Sequence, residues 1–276
     1  MKVLVTGATG FVGRHVVEAL VAGGHSVTAV ARDESKARTM PWLGRVRFVA
    51  CDAFAQPERA LEGGADVLVH LAWPGLPNYR DFFHLSRNLP ADLRFLEHAV
   101  DAGIARLVVA GTCLEYGMQC GALAATQETR PTTPYGLAKD TLRKSLEMLQ
   151  RLKPFTLQWV RLFYMYGEGQ NPASLLAQLD RAIDEGKPVF DMSRGDQLRD
   201  YLPVEEVAAT FRRVVESPAV TGVINCCSGT PVSVRELVER RCTERGSGIR
   251  LNRGHYPYPD YEPLAFWGVP TLPRAA

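Results

Sequence analysis

Tyr135 and Lys139 stand four residues apart in Tyr135-Gly136-Leu137-Ala138-Lys139. On a helix that spacing sets a phenol and an ammonium on one face, one turn apart. A free tyrosine titrates near ~10, too high for a base at neutral pH, and a nearby cation favours the phenolate. A shift of roughly 2–3 units needs about 3–4 kcal/mol. One close cation at an effective dielectric of ~20 supplies energy of that order. Such a pair takes a proton from a hydroxyl or gives one to a carbonyl. Thr112, in Gly111-Thr112-Cys113-Leu114-Glu115-Tyr116-Gly117, follows an apolar run. Its hydroxyl is placed to hold the same substrate oxygen as Tyr135.

A second constellation opens the chain: Gly7-Ala8-Thr9-Gly10-Phe11-Val12-Gly13. Its GxxGxxG spacing lies between a β-branched run, Lys2 to Thr6, and a helical pattern, Phe11 to Ala22. Glycines there allow a tight turn and close approach of backbone to phosphate. The helix start adds unpaired N–H groups and a positive dipole end. Gly7, Thr9, Gly10, Phe11, Val12 and Gly13 are therefore candidates for a dinucleotide site. The second strand ends in Ala31-Arg32. A guanidinium suits a 2′-phosphate, so NADP(H) is favoured, with Arg14 assisting; Asp33 keeps NAD(H) open. Asp52, with Ala53 after it, either meets the adenine or begins a turn.

These groups need rigid elements to position them. Short apolar runs alternate with helical patterns. Strands are expected at Lys2–Thr6, Val27–Val30, Val46–Ala50, Val67–Ala72, Leu107–Ala110 and Leu157–Phe163. The strongest helix is expected at Pro134–Leu152, and another at Asp81–Ala102 is kinked or split by Pro90. The alternation predicts an α/β protein with a doubly wound parallel sheet. Beyond Tyr166 the expectation is helices at Ser174–Glu185, Val204–Ser217 and Val232–Glu244, a short strand at Val223–Cys226, and an irregular tail from Tyr256. Residues 1–166, rejoined by 196–222, form the dinucleotide-binding part. Residues 167–195 and 223–276 form a small substrate-binding lobe.

The chain has 276 residues, 46% hydrophobic and 22% charged, which accommodates one large core. A net charge of +2 gives no reason to invoke nucleic acid or an anionic membrane. Six cysteines without CxxC spacing read as reduced thiols, and no metal site is expected. The N-terminus enters a strand without a signal-peptide pattern and no run is long enough to span a bilayer, so a cytoplasmic protein is expected.

The residues quoted resemble the extended short-chain dehydrogenase/reductase family, the nucleotide-sugar epimerases, dehydratases and reductases, over nearly the whole chain. The resemblance implies a Rossmann-type fold and a nucleotide-sugar substrate. It makes Thr112, Tyr135 and Lys139 the catalytic set. It implies that Asn88 supports the active site, that His70-Leu71-Ala72 lines the cofactor, and that Phe163 lies beside the nicotinamide. Arg199-Asp200-Tyr201 resembles a motif whose arginine contacts the substrate's diphosphate; the other reading of Arg199 is a salt bridge to a nearby acid. Asn225 to Gly229 resembles the following Asn-x-x-x-Gly segment. Trp73, Cys113, Tyr164 and Arg199 fall on the substrate side, although Cys113 reads first as a small core residue. His84, His98 and His255 have no assigned role. A homodimer through the helices near 81–102 and 134–152 is implied by the resemblance alone.

The family's 4,6-dehydratases carry Asp-Glu directly after the catalytic Thr. Here Cys113 and Leu114 stand there, so the groups for eliminating water are missing. The leading expectation is NADPH-dependent reduction of a nucleotide-linked 4-keto-6-deoxy sugar. The alternative is a 4-epimerase holding NAD. A non-catalytic NADP-binding regulator and a reductase of a non-nucleotide ketone rank below both.

Overall fold

The computed structural model describes residues 1–272. Seven parallel strands form the central sheet. They are β1 (Lys2–Thr6), β2 (Ser26–Ala31), β3 (Arg47–Ala50), β4 (Val67–His70), β5 (Arg106–Thr112), β6 (Thr156–Leu162) and β7 (Gly222–Cys226). Their order is β7-β6-β5-β4-β1-β2-β3. The strands are rich in Val and Leu because both faces are covered. The order reverses between β1 and β4, which opens a crevice at the carboxyl ends of these strands.

Helix α1 (Phe11–Ala22) and, later in the chain, Val204–Glu216 cover one face. Val16, Val17 and Leu20 meet Val207, Phe211 and Val214 in one core with β1 and β2. The other face carries Leu89–Asp101, here α2, and Pro134–Leu149, here α3; Phe95, Leu96, Leu142 and Leu146 pack on Leu68, Leu107 and Trp159. A π-helical turn at His84–Asn88 leads into α2, with Pro90 in the helix's first turn. There the ring's missing N–H costs nothing.

A third core joins Leu176, Leu179, Phe190, Met192, Leu237 and Val238. It brings together the helices Leu175–Asp184 and Val234–Glu244 and the parallel pair Val189–Met192 and Arg250–Arg253. One boundary differs from the expectation that 223 begins the small lobe. Gly222–Cys226 pairs in parallel with β6 and is an edge strand of the central sheet. Within the tail, Phe266–Gly268 forms a short strand against Gly121–Leu123.

Asp200 is fully buried and accepts from the backbone N–H groups of Ser228 (2.5 Å), Gly229 (2.8 Å) and Gly268 (3.3 Å). It ties the segment after β7 to the tail and so fixes its neighbour Arg199.

Candidate active site

The sharp turn after β1 is built around Gly7, whose φ is +68°. A Cβ on Gly7 would lie 2.8 Å from the Ala72 nitrogen, so Leu71-Ala72 abuts the turn. A Cβ on Gly13 would lie 2.1 Å from the Gly7 carbonyl oxygen. Helix α1 thus packs directly on the turn, and only hydrogen fits at these positions. Gly10 is its N-cap and supplies no side-chain acceptor; no acidic residue stands in the first turn. A concave, uncapped helix start of this kind suits a pyrophosphate. The group that the glycine pattern implies therefore fits the residues present.

The rim of this cradle is less one-sided than the sequence implies. Arg32 is exposed and lies 3.9 Å from the Asp52 carboxylate. Asp33 caps the short helix Glu34–Ala37 by accepting from Lys36 N. Asp52 accepts from Phe54 N at 3.0 Å and so begins a turn. Ala53 is buried beside it. Arg14 is drawn off to Glu168 at 2.7 Å. Below the turn, His70 Nε2 donates to Asp92 at 2.7 Å, and its Nδ1 hydrogen-bonds the Thr6 hydroxyl at 2.8 Å.

At the end of β5, Thr112 is the N-cap of a 3-10 turn, Cys113–Tyr116. Its hydroxyl accepts from Leu114 N, while the Glu115 carboxylate accepts from Thr112 N at 2.8 Å. This is a capping box, and it holds the threonine at the sheet's carboxyl edge. Helix α3 begins with its own cap, the Thr133 hydroxyl accepting from Gly136 N. Its first turn carries Tyr135, which is buried, with the Thr112 hydroxyl close to its phenol. Lys139, one turn later, is also buried and donates to the Ala110 carbonyl at 2.9 Å. The structure therefore brings Thr112, Tyr135 and Lys139 together.

The electrostatics differ from the sequence expectation of a phenolate. Burial pushes the Tyr135 phenol well above its ordinary value; the neighbouring Tyr79 and Glu115 push the same way, and only the Thr112 hydroxyl opposes them. Burial lowers Lys139 to about 8, while Asp92 and Glu115 pull it back up. The ammonium faces the Ala110 carbonyl and the Trp73 ring, 3.9 Å from the ring centre. These influences favour the neutral phenol of Tyr135.

Trp73 packs edge-on to Tyr135, with ring centres 5.8 Å apart, and donates its indole N–H to His84 Nδ1 at 3.0 Å. His84, left without a role in the sequence, is buried and donates through Nε2 to the Asn78 carbonyl at 3.0 Å. Asn88 donates to the Pro74 carbonyl at 2.9 Å, holding the same loop. Tyr79 lies over Tyr135 at 5.5 Å. Together these rings wall the tyrosine from water.

Cys113 is buried in an apolar cluster with Phe163, Phe266 and Cys227, and Tyr164 packs against it. Arg199 is 3% exposed. It donates to the carbonyls of Leu198 and Leu264 and to the Glu262 carboxylate at 3.0 Å, and it stacks on Phe266 at 4.6 Å. Of the two readings of Arg199, the salt bridge is present. Arg199→Ala should lower stability by about 3 kcal/mol, because Glu262 would keep a buried charge without its partner. Urea unfolding measures this; an unchanged midpoint would show that the pair contributes nothing.

Pattern reading missed Trp159, Arg161 and Glu115, all fully or almost fully buried. The Trp159 indole donates to Glu115 at 2.9 Å, and Arg161 Nε donates to it at 2.7 Å. The Thr-x-x-Glu spacing of a capping box was the signal available for Glu115.

Residues 3–227 match the model of the NAD dependent epimerase/dehydratase family. The chain belongs to that family. A member from Aggregatibacter actinomycetemcomitans, dTDP-6-deoxy-L-talose 4-dehydrogenase (NAD(+)), is 31% identical over 98% of this chain and 100% of its own length. GDP-6-deoxy-D-talose 4-dehydrogenase from the same organism is 25% identical over 88% of this chain and 79% of its own. Among solved structures, MoeE5 in complex with UDP-glucose and NAD superposes with a TM-score of 0.82 at 28% identity, covering 98% of this chain and 90% of that one. The epimerase/dehydratase chain described here is an enzyme of the oxidoreductase type, with the seven-stranded Rossmann-like sheet of the extended short-chain dehydrogenase/reductases.

Proposed function

We propose that this enzyme interconverts a 4-keto and a 4-hydroxy group on a nucleotide-linked 6-deoxyhexose, working as a 4-ketoreductase in the biosynthetic direction. The observation that carries this reading is the buried Tyr135 phenol beside Thr112, with Cys113 and Leu114 where a dehydratase would need acids. The end-to-end match to a dTDP-6-deoxy-L-talose 4-dehydrogenase supports the same substrate class.

Gly7, Thr9, Gly10, Phe11, Val12 and Gly13 would hold the pyrophosphate, and Leu71, Ala72 and Phe163 the nicotinamide side. Bound reduced nicotinamide supplies the hydride for the keto carbon. Thr112 orients the sugar oxygen, and Tyr135 gives its proton to the alkoxide that forms there. Lys139 holds the cofactor's ribose, and its charge assists Tyr135 during proton transfer. A charged donor in a dry site acts at low effective dielectric, where its influence is large. Trp73, Cys113 and Tyr164 would border the sugar. Arg199 would reach the diphosphate only by sharing its charge with Glu262.

For the cofactor, Arg32 was the ground for NADP(H). Its contact with Asp52 offsets that charge, and the relative named above is NAD(+)-dependent. We therefore favour NAD(H). Arg32→Ala should change kcat/KM for NADH by about threefold or less, since an exposed charge pair contributes little. Steady-state rates with NADH and NADPH test this. A strong preference for NADPH that Arg32→Ala abolishes would restore NADP(H).

The second reading, a 4-epimerase that retains NAD, is favoured by the likeness to MoeE5 in complex with UDP-glucose and NAD. An exchangeable cofactor separates the two: a reductase should be purified largely free of nucleotide, whereas an epimerase should release stoichiometric NAD on denaturation. Homodimerisation through α2 and α3 belongs to the same proposal, in keeping with the exposed Leu137 and Met148 on α3. So does a cytoplasmic setting. No described helix is long and apolar enough to cross a membrane.

A further inference from the structure

We infer that Glu115 is a positioning residue for the proton transfer: its carboxylate fixes Thr112 and ties the turn that carries it to the helix that carries Tyr135 and Lys139. This rests on the reading of Thr112, Tyr135 and Lys139 as the reacting set.

Glu115 is fully buried. Its Oε1 accepts from Thr112 N at 2.8 Å and from the Trp159 indole at 2.9 Å. Its Oε2 accepts from Arg161 Nε at 2.7 Å and lies 3.9 Å from Arg143 Nε. Three elements therefore converge on one carboxylate: the turn after β5, strand β6 through Trp159 and Arg161, and helix α3 through Arg143. Tyr135, Lys139 and Arg143 follow one another at four-residue spacing, so all three share a face of α3. Arg143 is held in place in turn by Asp140 at 2.8 Å and by Glu147. Arg161 stacks on Tyr116 at 4.5 Å, whose hydroxyl donates to Asn225 at 2.7 Å. A network this buried fixes its members, because every alternative position leaves a charge unpaired.

A stabilising pair could have been built anywhere in the core. This one closes the capping box of the threonine whose hydroxyl meets Tyr135, and its charge reaches both reacting groups. Lys139 faces Asp92 on α2 and Glu115 on the turn, with His84 close by. Tyr135 faces Tyr79 from the loop before α2, and Cys113, Glu115 and the Thr112 hydroxyl from the turn. Burial works against the ammonium of Lys139, and Asp92 and Glu115 are the anions that support it. Glu115 also disfavours the phenolate of Tyr135. Both effects keep the proton-donating state populated at higher pH.

The test is Glu115→Gln, which keeps the shape and removes the charge. Removing the anion lowers the pKa of Lys139 and of Tyr135 together. The alkaline limb of kcat should therefore move to lower pH by roughly one unit, the order a single charge produces over several ångström. At neutral pH kcat should fall about tenfold, with KM nearly unchanged, as expected of misplacement rather than lost binding. Glu115→Asp keeps the charge but shortens the reach to Thr112 N; it should lose kcat while its alkaline limb stays in place. If Glu115→Gln does not fold, Glu115→Asp and Trp159→Phe decide the matter. Both should lower kcat at unchanged KM, and wild-type kcat in both overturns the inference. A Glu115→Gln protein with a lower unfolding midpoint but an unmoved alkaline limb and unchanged kcat also overturns it. Wild-type turnover is the control for each arm. Its absence on every nucleotide-linked keto sugar tried would count against the proposed function, and loss confined to the variants could not.

Discussion

Tyr135→Phe should lower turnover by about 10²–10⁴-fold, the range that a positioned proton donor contributes. Phenylalanine keeps the ring and removes only the hydroxyl. The ring is held by Trp73 at 5.8 Å, Tyr79 at 5.5 Å and His84 at 5.2 Å, none of which depends on that hydroxyl. The fold should persist, and the melting temperature should stay near that of the wild type. NADH affinity, followed by tryptophan fluorescence with Trp73 beside the site, should change by about threefold or less. Loss of kcat with binding intact is the signature of a group used only in the transition state. If the variant keeps more than a tenth of wild-type turnover, Tyr135 is not the donor, and another acid would have to be sought near Thr112.

The second large effect is expected at the opposite end of the crevice. A methyl group on Gly13 would fall 2.1 Å from the Gly7 oxygen, 2.9 Å from the Gly7 carbonyl carbon and 3.0 Å from the Ala8 Cα. All three atoms are backbone, so no side chain can swing aside. Gly13→Ala must therefore push α1 off the turn that its N-terminus is meant to complete. Overpacking of this kind costs about 1–3 kcal/mol, sometimes more, and misaligns the N–H groups facing the pyrophosphate. NADH binding should be lost or weakened by at least about a hundredfold, the scale of two or more misaimed hydrogen bonds to a charged group. Gly10→Ala is the milder comparison, because its Cβ would meet only the Gly7 oxygen, at 3.0 Å. Titration with NADH and urea unfolding measure both variants. A Gly13→Ala protein that binds NADH as the wild type does would show that this turn is not the cofactor cradle.

Hydrophobic periodicity made six strands and the main helices legible, because buried parallel strands and amphipathic helices write their burial into local pattern. The seventh strand was visible as a strand but not as a member of the central sheet. Its partner β6 lies about sixty residues away, and nothing local to Gly222–Cys226 names that partner. The same distance hid the polar network. Glu115 and Arg161 are 46 residues apart, and Arg199 and Glu262 are 63 apart. Each reads as an ordinary charge until the fold pairs it. His84 looked idle because its partners, the Trp73 indole and the Asn78 carbonyl, are set by how the loop before α2 turns. The protein's own groups do not favour the phenolate of Tyr135, for a related reason. Spacing on a helix gives the direction of a lysine but not the desolvation that outweighs it. Thr112, Tyr135 and Lys139 were legible because one helical turn and one strand end define them, and the structure brings them together.

The most direct test is absorbance of reduced nicotinamide when purified enzyme and NADH are mixed with nucleotide-linked 4-keto-6-deoxyhexoses, with an ordinary UDP-hexose as the comparison. The proposal predicts stoichiometric loss of the NADH signal with one of the keto sugars, formation of the 4-hydroxy sugar, and no isomerisation of the UDP-hexose. Isomerisation of the UDP-hexose without any net change in NADH would contradict it and make the protein a 4-epimerase.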